Sequence, residues 1–404
     1  MKKEALVMWA ACAAMVACAE LPPLCGDGVH DDTAAIQARL DAGTPCVYLP
    51  PPAKHYLISK ALEIGSWQEL RLDRYSVVRL EPKSDCHMVI NKNWRTGDSH
   101  ITVTGGIWDF NNLGQSPNPH MTMHCNPPYK TKMPDHFERD FFHGEIFTFD
   151  KVDGLTVKGI TLRNPTTYGF QMTRTCNFLI DDVTLDYTTW NPSPLNLDGI
   201  HLDGGCHHGR ISNIRGTALD DMVALNSADG ICTAYEGPIH DIDIDGIYAD
   251  YSHSAVRLLA AGTSLSRVTI RNVHGSFYVY AIGLTHHFKN KPRGRFDDIV
   301  IENVFASKAR TPDGIISREW YPLIWVENGS DVGNLSIRNF RRTEKVYGVP
   351  SIRVAEDATV ERLTVRDCRM ESMLGIPIKF MDLAGKVGVE MVENNEILKS
   401  FSCE

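Results

Sequence analysis

The sequence lacks the features that mark several specialised classes of protein. Glycine and proline, with 31 and 21 residues in 404, are near their average frequencies, so the chain is neither collagen-like nor of low complexity. The net charge of −9 offers no basic footprint, so no nucleic-acid partner is expected. No Cys-x-x-Cys motif is present, which argues against a cysteine-based zinc or redox site. With 43% apolar and 23% charged residues, the chain has the balance of a globular protein.

Long apolar runs are also missing, apart from one at the N terminus. There two lysines precede an apolar stretch over residues 5–16, and residues 17–19 form an Ala-x-Ala cleavage site. The run is too short to cross a bilayer, and no transmembrane segment is predicted. We therefore expect residues 1–19 to be a signal peptide and the protein to be secreted or periplasmic. Lipoprotein processing, with a lipid anchor at Cys18, is the alternative.

Nine cysteines remain after cleavage at residue 19, and this odd number leaves at least one free or paired outside the chain. Disulfides are permitted in an exported protein. Cys25 and Cys46 flank a short predicted helix and could be bridged. Burial of single cysteines in the core is an equally good interpretation.

A short phrase recurs along the chain: an apolar residue, any residue, Asn, Asp or Gly, and a second apolar residue. The steps between copies are 23 to 36 residues, and each copy alternates with the period of a half-buried strand. The copies begin at Val157, Ile180, Ile211, Ile244, Ile270, Ile301, Ile337 and Val365.

A second strand recurs in step with the first, as two apolar residues with one residue between them. Nine such pairs predict nine coils, whose strands stack in parallel while the turns absorb insertions. We therefore predict an all-β protein, a single parallel β-helix over residues 20–404, in place of the two or three domains that length alone suggests. The pairs are Phe147/Phe149, Phe170/Met172, Ile200/Leu202, Val223/Leu225, Val256/Leu258, Ile282/Leu284, Ile324/Val326, Ile352/Val354 and Ile378/Phe380.

Two segments depart from the repeat. A helix is predicted over residues 34–40, with Asp32 or Thr33 as its N-cap and Gly43 after its end, and it would cover the open end of the solenoid. The stretch 111–140 is rich in Pro, Asn, His and Met, and we predict an inserted loop that forms part of a cleft wall.

Stacking places residues of successive coils in columns. The residues between the apolar pairs form one outward column, expected to be exposed: Thr148, Gln171, His201, Ala224, Arg257, Gly283, Trp325, Arg353 and Lys379. Asp198 and Asp221 each stand three residues before this column, and Asp220 adjoins Asp221. His253 follows one coil later, in the position of Asp220.

Three carboxylates in adjacent coils cannot all ionise freely, because like charges and burial raise at least one pKa. Such a group supplies an acid beside a base, which is the division of labour that glycoside hydrolysis needs. An aspartate at a solenoid bend can also simply cap backbone N–H groups. The register of all three with His253 favours the catalytic interpretation.

These motifs resemble glycoside hydrolase family 28, the polygalacturonases. Residues 196–199 (Asn-Leu-Asp-Gly), the pair Asp220-Asp221 and residues 252–254 (Ser-His-Ser) are similar to that family's Asn-Thr-Asp, Gly-Asp-Asp and Gly-His-Gly on successive coils. Residues 26–37 resemble the capping segment of pectate-lyase-like right-handed β-helices.

The resemblance implies an inverting hydrolase that uses neither metal nor cofactor. By position, Asp220 would be the general acid, Asp198 and Asp221 would hold and deprotonate the water, and His253 would tune the acid. Leu197, Leu219, Ser252 and Ser254 depart from the family motifs. In addition, residues 278–284 lack the cation with which the family's Arg-Ile-Lys motif binds a uronate carboxylate, so the sugar is left open.

Six residues are predicted to bind a carbohydrate substrate. Arg257 could bind a carboxylate or sulfate, or could pair with a carboxylate of the protein. The aromatic side chains could stack on sugar rings or cover the solenoid surface. The six are Arg257, Tyr168, His201, Gln171, Tyr280 and Trp325.

We therefore predict a secreted, monomeric glycoside hydrolase with a polysaccharide or oligosaccharide substrate. A polysaccharide lyase on the same fold is one alternative, in which the aspartates could hold Ca²⁺. A non-catalytic carbohydrate-binding β-helix is the other.

Overall fold

The computed structural model describes residues 21–117, 144–192, 194, 196–228, 235–288, 290–313 and 319–399. The expected signal peptide and Cys18 lie outside these residues. So does most of the predicted loop at 111–140, of which residues 111–117 are described and contain a 3₁₀ turn, Asn112–Gly114.

The described chain contains one α-helix, α1 (Thr33–Asp41), and 29 strands. The strands are β1 (Cys46–Leu49), β2 (Tyr56–Ile58), β3 (Leu62–Ile64), β4 (Glu69–Leu72), β5 (Val77–Leu80), β6 (Val89–Asn91), β7 (Asp98–Thr104), β8 (Ile107–Asp109), β9 (Phe147–Asp150), β10 (Val152–Lys158), β11 (Thr161–Arg163), β12 (Phe170–Thr173), β13 (Cys176–Asp186), β14 (Ile200–Asp203), β15 (His207–Thr217), β16 (Asp221–Asn226), β17 (Ile239–Ser252), β18 (Ser254–Leu259), β19 (Ser264–Phe277), β20 (Ile282–Thr285), β21 (Gly294–Lys308), β22 (Ile324–Val326), β23 (Ser330–Glu344), β24 (Ile352–Val354), β25 (Thr359–Arg366), β26 (Arg369–Ser372), β27 (Met381–Leu383), β28 (Lys386–Glu393) and β29 (Glu396–Lys399).

The strands form two sheets in which neighbouring strands run parallel. Strands β3, β6, β9, β12, β14, β16, β18, β20, β22, β24 and β27 make the first sheet, and the other 18 strands make the second. Along the chain, each strand of the first sheet leads into the second sheet and the chain then returns one coil on. This alternation of stacked coils is a parallel β-helix, as the repeat predicts.

The recurring phrase is in register throughout the second sheet. Val157 pairs with Ile180, Ile180 with Ile211, and the pairing continues to Val365. The Asn, Asp or Gly within the phrase takes a left-handed backbone, as at Asn303 with φ of 56°. These residue types recur because they adopt positive φ at least cost, and each one bends its strand.

The first sheet also has the expected register, except at its C-terminal end. Ile352 pairs with Met381, so β27 covers Met381–Leu383 and the prediction of Ile378/Phe380 is wrong. Asp382, not Lys379, therefore lies opposite Arg353. The apolar pair at 378–380 satisfies the pattern equally well, because period two alone does not decide between nearby apolar residues. Two further strands, β3 and β6, precede the nine predicted ones.

The outward face of the first sheet is not exposed over the middle coils, and this corrects the expectation. Thr148, Gln171, His201 and Ala224 are all buried in register with one another. These positions alternate with core residues and were expected to face solvent, but in the middle coils they form a buried layer that is mostly polar. The candidate site lies beside this layer.

Helix α1 closes the N-terminal end, with Ile36 and Leu40 buried. Its N-cap is Asp32, but the Asp32 carboxylate accepts hydrogen bonds from the backbone N–H groups of Cys25 (2.6 Å) and Gly26 (3.1 Å) instead of capping the helix. In the described ranges Cys25 and Cys46 are free thiols, so they form no bridge. No helix of the described chain has the length and apolarity that a membrane span requires.

Candidate active site

The predicted catalytic residues meet where three successive coils enter the first sheet. Asp198 precedes β14 by two residues, Asp221 begins β16, and His253 immediately precedes β18. Parallel pairing places Asp221 opposite Ser254. Residues distant in sequence thus become neighbours across one strand spacing, about 4.8 Å.

The distances confirm that these side chains form one cluster. The backbone N–H of Asp221 donates to Asp198 Oδ1 at 3.0 Å. His253 Nδ1 lies 3.4 Å from Asp220 Oδ1 and 3.9 Å from Asp221 Oδ1. The Ser254 hydroxyl is 2.7 Å from the same imidazole nitrogen. A proton-sharing group is therefore present at the spatial position that the coil register predicts.

Arg257 belongs to this cluster as a partner of the carboxylates. Its Nε lies 2.9 Å from Asp221 Oδ2, and its Nη2 lies 3.8 Å from Asp198 Oδ2. Ala224 is its register partner on the preceding coil, and this small side chain leaves room for the guanidinium. Two interpretations of Arg257 were open, binding of a substrate anion or pairing with a carboxylate of the protein. The structure shows the second, because the guanidinium faces Asp221 and Asp198.

Electrostatics around Asp221 act in opposite directions. Burial raises the pKa of Asp221 well above its usual value, and the neighbouring carboxylates of Asp220 and Asp198 add to the rise, while Arg257 opposes it. Asp221 is completely buried, whereas 15% of the Asp220 side chain is exposed. The cluster thus retains a proton easily, and Asp220 is its more accessible carboxyl.

His201 lies between the carboxylates of Asp198 and Asp203. Its Nδ1 lies 2.7 Å from Asp198 Oδ2, and its Nε2 lies 3.3 Å from Asp203 Oδ1. Burial lowers the pKa of His201, but Asp203 and Asp198 outweigh this and raise it to about 10. The imidazolium therefore bridges two carboxylates and fixes the orientation of Asp198.

Three residues predicted to bind substrate belong to this buried support. The ring of Tyr168 stacks on His201 with centroids 3.9 Å apart, and Gln171 Nε2 donates to Asp203 Oδ2 at 2.7 Å. Tyr168, Gln171 and His201 are each exposed by 2% or less. They hold Asp198 and Asp203 in place, and they offer no open surface to a sugar in this structure.

The two remaining predicted contacts, Tyr280 and Trp325, are also buried. The ring of Tyr280 covers the backbone of Gly283, where an added Cβ would come within 2.8 Å of the ring. Tyr321 lies edge-on to both, with centroids 5.7 Å from Tyr280 and 6.0 Å from Trp325. Beside them the side chain of Trp320 is exposed and stacks on Tyr321 with ring centroids 3.7 Å apart, and it was not identified from the sequence. Its position four residues before the predicted strand pair Ile324/Val326 could have indicated that Trp320 lies near the entry of the first sheet.

A buried lysine, Lys308, holds the backbone of residues 278–279 beside His253. Lys308 Nζ donates to the carbonyl oxygens of Tyr278 (3.2 Å) and Val279, and burial lowers the pKa of Lys308 to about 7. The Tyr278 ring meets His253 edge-on, with centroids 5.2 Å apart. No sequence motif marks Lys308, because its role depends on a contact across 30 residues.

Glycine 199 allows the coils to approach closely at Asp198. A Cβ at this position would lie 2.5 Å from the carbonyl oxygen of Met222 and 2.4 Å from Leu185. Only glycine fits this contact, which explains the Asp-Gly step in the motif. Tyr187 adds a hydrogen bond from its hydroxyl to the Asp198 carbonyl oxygen at 3.0 Å.

The same aspartates could in principle bind a cation. Asp220, Asp221 and His253 offer ligand atoms within 4.8 Å of one another. Asp221 is completely buried, however, and Arg257 Nε lies 2.9 Å from its Oδ2, so the carboxylate has little room for the six to eight oxygen ligands that Ca²⁺ takes. The arrangement is better suited to proton transfer, with the partly exposed carboxyl of Asp220 beside the buried carboxyls of Asp198 and Asp221.

A family model and the solved structures identify what this chain is similar to. The model for glycosyl hydrolases family 28 matches residues 142–257, which contain the whole cluster. A Thermotoga maritima exopolygalacturonase is 17% identical, with 92% of this chain and 90% of that chain covered and a TM-score of 0.59. A Yersinia enterocolitica family 28 exopolygalacturonase is 16% identical, with 92% and 76% covered and a TM-score of 0.57.

A protein of another kind has the same fold. The Streptococcus pneumoniae surface adhesin PfbA is 15% identical, with 94% of this chain and 91% of that chain covered and a TM-score of 0.55. A search of curated proteins found no match. At these identities the structures show the fold alone, a right-handed parallel β-helix.

The predicted resemblance to family 28 and to the pectate-lyase-like β-helix is therefore confirmed. The family match supports a glycoside hydrolase as the class of protein, and hence a carbohydrate as the class of substrate. The fold is shared by enzymes and an adhesin and does not decide between catalysis and binding.

Proposed function

We propose that this protein is a secreted or periplasmic monomeric glycoside hydrolase that cleaves a pectin-type or other acidic polysaccharide with inversion. The observation that carries the proposal is the approach of His253 Nδ1 to within 3.4 Å of Asp220 Oδ1, beside Asp221 and Asp198. Processing at residue 19, or lipid attachment at Cys18, is part of the proposal.

Asp220 serves as the general acid. It is the most exposed of the three carboxyls, so it can reach a glycosidic oxygen. The backbone N–H of Asn196 donates to its Oδ2 at 3.2 Å and holds the carboxyl in place. Asp220 adjoins Asp221, whose pKa is raised by burial, so a proton is kept beside the general acid.

Asp198 and Asp221 hold and deprotonate the attacking water on the face of the sugar opposite to Asp220. Asp198 Oδ2 lies 3.8 Å from the guanidinium Nη2 of Arg257 and 2.7 Å from His201 Nδ1, and this carboxylate serves as the base. Asp221, with its raised pKa, holds the water by hydrogen bonding. Inversion requires the acid and the base on opposite faces of the sugar ring, with the water between the base and the anomeric carbon.

The experiment compares Asp220→Asn with the wild type on pectic and algal polysaccharides, measured by release of reducing ends. We expect a loss in kcat of at least about 100-fold, with substrate binding retained. Asp250→Asn, at an exposed position of β17, is the matched control and keeps full activity. Proton NMR of the first product shows an inverted anomer. Full activity in Asp220→Asn, or a retained anomer, would contradict the assigned roles, and an unsaturated product absorbing in the ultraviolet would indicate a lyase.

A carbohydrate-binding β-helix without catalysis is the second candidate. The burial of Asp198 and Asp221 and their pairing with Arg257 favour it, because carboxylates that are buried against a cation can have a structural role without reacting. The adhesin with the same fold is consistent with it. This candidate predicts that the wild type binds a glycan but releases no reducing ends, and that Asp220→Asn changes neither result.

A further inference from the structure

A histidine cluster lies away from the aspartates, where the first sheet turns into the second. His207 and His208 begin β15, while His240 and Asp241 lie at the start of β17. His207 and His240 are register partners on adjacent coils, and their rings stack with centroids 5.0 Å apart. Nothing in the proposed hydrolysis uses these four side chains.

Three of these residues have potential metal-ligand atoms that lie close together. One atom each from His208, His240 and Asp241 lies within 4.8 Å of the other two. Asp241 Oδ2 is 2.7 Å from His240 Nδ1 and 3.7 Å from His208 Nε2. In a tetrahedral zinc site with bonds of 2.0–2.1 Å, neighbouring ligand atoms are about 3.4 Å apart. The two distances lie on either side of that value, so small side-chain rotations suffice to admit an ion.

The surrounding contacts orient the donors. His207 Nδ1 and His208 Nδ1 are 2.7 Å apart, so one ring donates its N–H to the other and His208 Nε2 faces the cluster. Arg267 donates from Nε and Nη2 to the two oxygens of Asp241, at 2.6 and 2.8 Å, which fixes the plane of the carboxylate. Partners of this kind set ligand orientation in metal sites.

We propose that His208, His240 and Asp241 bind one divalent transition-metal ion of the zinc type, with His207 orienting His208. Two imidazoles and one carboxylate are a donor set that suits Zn²⁺, Ni²⁺ or Cu²⁺ better than Ca²⁺ or Mg²⁺. His208 is 57% exposed in its side chain, so an ion from solution reaches the site. This site is independent of the proposed hydrolysis.

The ion would link two adjacent coils, because His208 lies on one and His240 and Asp241 lie on the next. The chain from His208 to His240 makes one complete coil, and this coil carries Asp220 and Asp221. An ion that binds the folded chain at the two ends of this coil, and not the unfolded chain, stabilises the folded coil by mass action. The expected consequence is a higher melting temperature in the presence of the ion, without a change in the residues of the candidate active site.

The test uses tag-free, full-length protein that has been freed of metal with a chelator and then titrated with ZnCl₂ by calorimetry. We expect one Zn²⁺ per chain and a melting temperature that rises with ZnCl₂. His208→Ala and Asp241→Asn abolish this binding, and His207→Ala weakens it by about 10-fold. His274→Ala is the matched control, since His274 lies on the same sheet but stacks between Tyr248 and Phe305.

Three outcomes would overturn the proposal. The first is no Zn²⁺ binding by the wild type, and the second is unchanged binding by His208→Ala. The third is loss of binding in Asp220→Asn with retention in His208→Ala, which would move the ion to the aspartate cluster. His208 is largely exposed, so its replacement is expected to preserve the fold even where Asp241→Asn, which loses Arg267 as a partner, does not. Failure of the hydrolysis tests leaves this result unaffected.

Discussion

At the scale of single residues, the site is a balance of buried charges. Asp198, Asp221 and His201 are buried, Arg257 is half-buried, and each has a partner of opposite charge within 4 Å. Such pairs contribute little net stability compared with apolar packing, but removing one member leaves the other charge buried alone. The catalytic proposal therefore carries a structural consequence that can be measured separately.

Replacing Arg257 tests that consequence. In Arg257→Gln, Asp221 loses its cation while remaining buried, and we expect a loss in the free energy of unfolding of about 3–5 kcal/mol. Chemical denaturation at neutral pH measures it. The control is Arg353→Gln, in the same column but with 30% of its side chain exposed, against 14% for Arg257, and paired with the exposed Glu356. We expect this variant to cost at most about 1 kcal/mol. Equal losses in the two variants would show that Arg257 is not a special charge partner.

Glu145 gives a dependence of stability on pH. Burial raises its pKa to about 8, above the value of 4.5 for a free glutamate. Ionisation of this group therefore favours the unfolded chain, so the cost is absent below about pH 4.5, grows as pH rises and is complete near pH 8. Glu145→Gln removes that cost, and we expect it to be more stable than the wild type by a few kcal/mol at pH 8 but not at pH 4.

The measurement is the denaturation midpoint of both proteins from pH 4 to pH 8.5. Glu356→Gln is the control, because Glu356 is exposed and its own backbone N–H and Arg353 lower its pKa, so this variant gains nothing as the pH rises. A difference for Glu145→Gln that stays constant with pH would contradict the assignment.

At the scale of elements, the strand bends depend on residues with a left-handed backbone. Asn303 has φ of 56°, and its amide is part of a ladder along successive coils. The Asn339 amide donates to Asn303 Oδ1 at 2.9 Å, and the Asn303 amide donates to Asn272 Oδ1 at 3.2 Å. Both the dihedral angle and the hydrogen bonds favour asparagine here.

Two variants separate these contributions. Asn303→Ala loses the ladder and also pays for positive φ, which costs about 1–2 kcal/mol. Asn303→Gly loses the ladder but adopts positive φ freely, so we expect it to be more stable than Asn303→Ala by about 1 kcal/mol in chemical denaturation. Asn334→Ala, on the neighbouring strand β23 and without positive φ, should change stability by about 0.5 kcal/mol at most. Asn303→Gly no more stable than Asn303→Ala would show that the bend is not limited by φ.

At the scale of the whole molecule, the β-helix has a nearly one-dimensional core. Each coil packs on its two neighbours, so stability is a sum of local terms and an end can open without the middle. Helix α1 closes the N-terminal end with Leu40, which is 2% exposed. The candidate site lies in the middle coils, which have neighbours on both sides.

Leu40→Ala should therefore destabilise one end only. We expect a cost of about 2–5 kcal/mol, seen as faster amide hydrogen exchange in residues 46–80 and unchanged exchange in residues 239–277. Leu363→Ala, a fully buried leucine near the other end, is the control and should speed exchange in the C-terminal coils. A uniform increase in both variants would mean that the solenoid unfolds as a single unit.

The sequence by itself determined the repeat and hence the β-helix, because period-two alternation and residues that tolerate positive φ must recur in every coil. It also determined that Asp198, Asp220, Asp221 and His253 come together, since parallel stacking converts spacing along the chain into proximity. Only the last strand was displaced, where two apolar pairs lay three residues apart and either satisfied the pattern.

The tertiary structure alone decided which residues of the site are buried and what each one contacts. The pairing of Arg257 with Asp221, the enclosure of His201 beneath Tyr168, and the contact of Lys308 with Tyr278 depend on side-chain rotamers and on loops from other coils. A strand pattern says which face a residue is on, but it carries no information on what covers that face. Burial and charge pairing, which set the pKa values of the site, are therefore properties of the folded molecule.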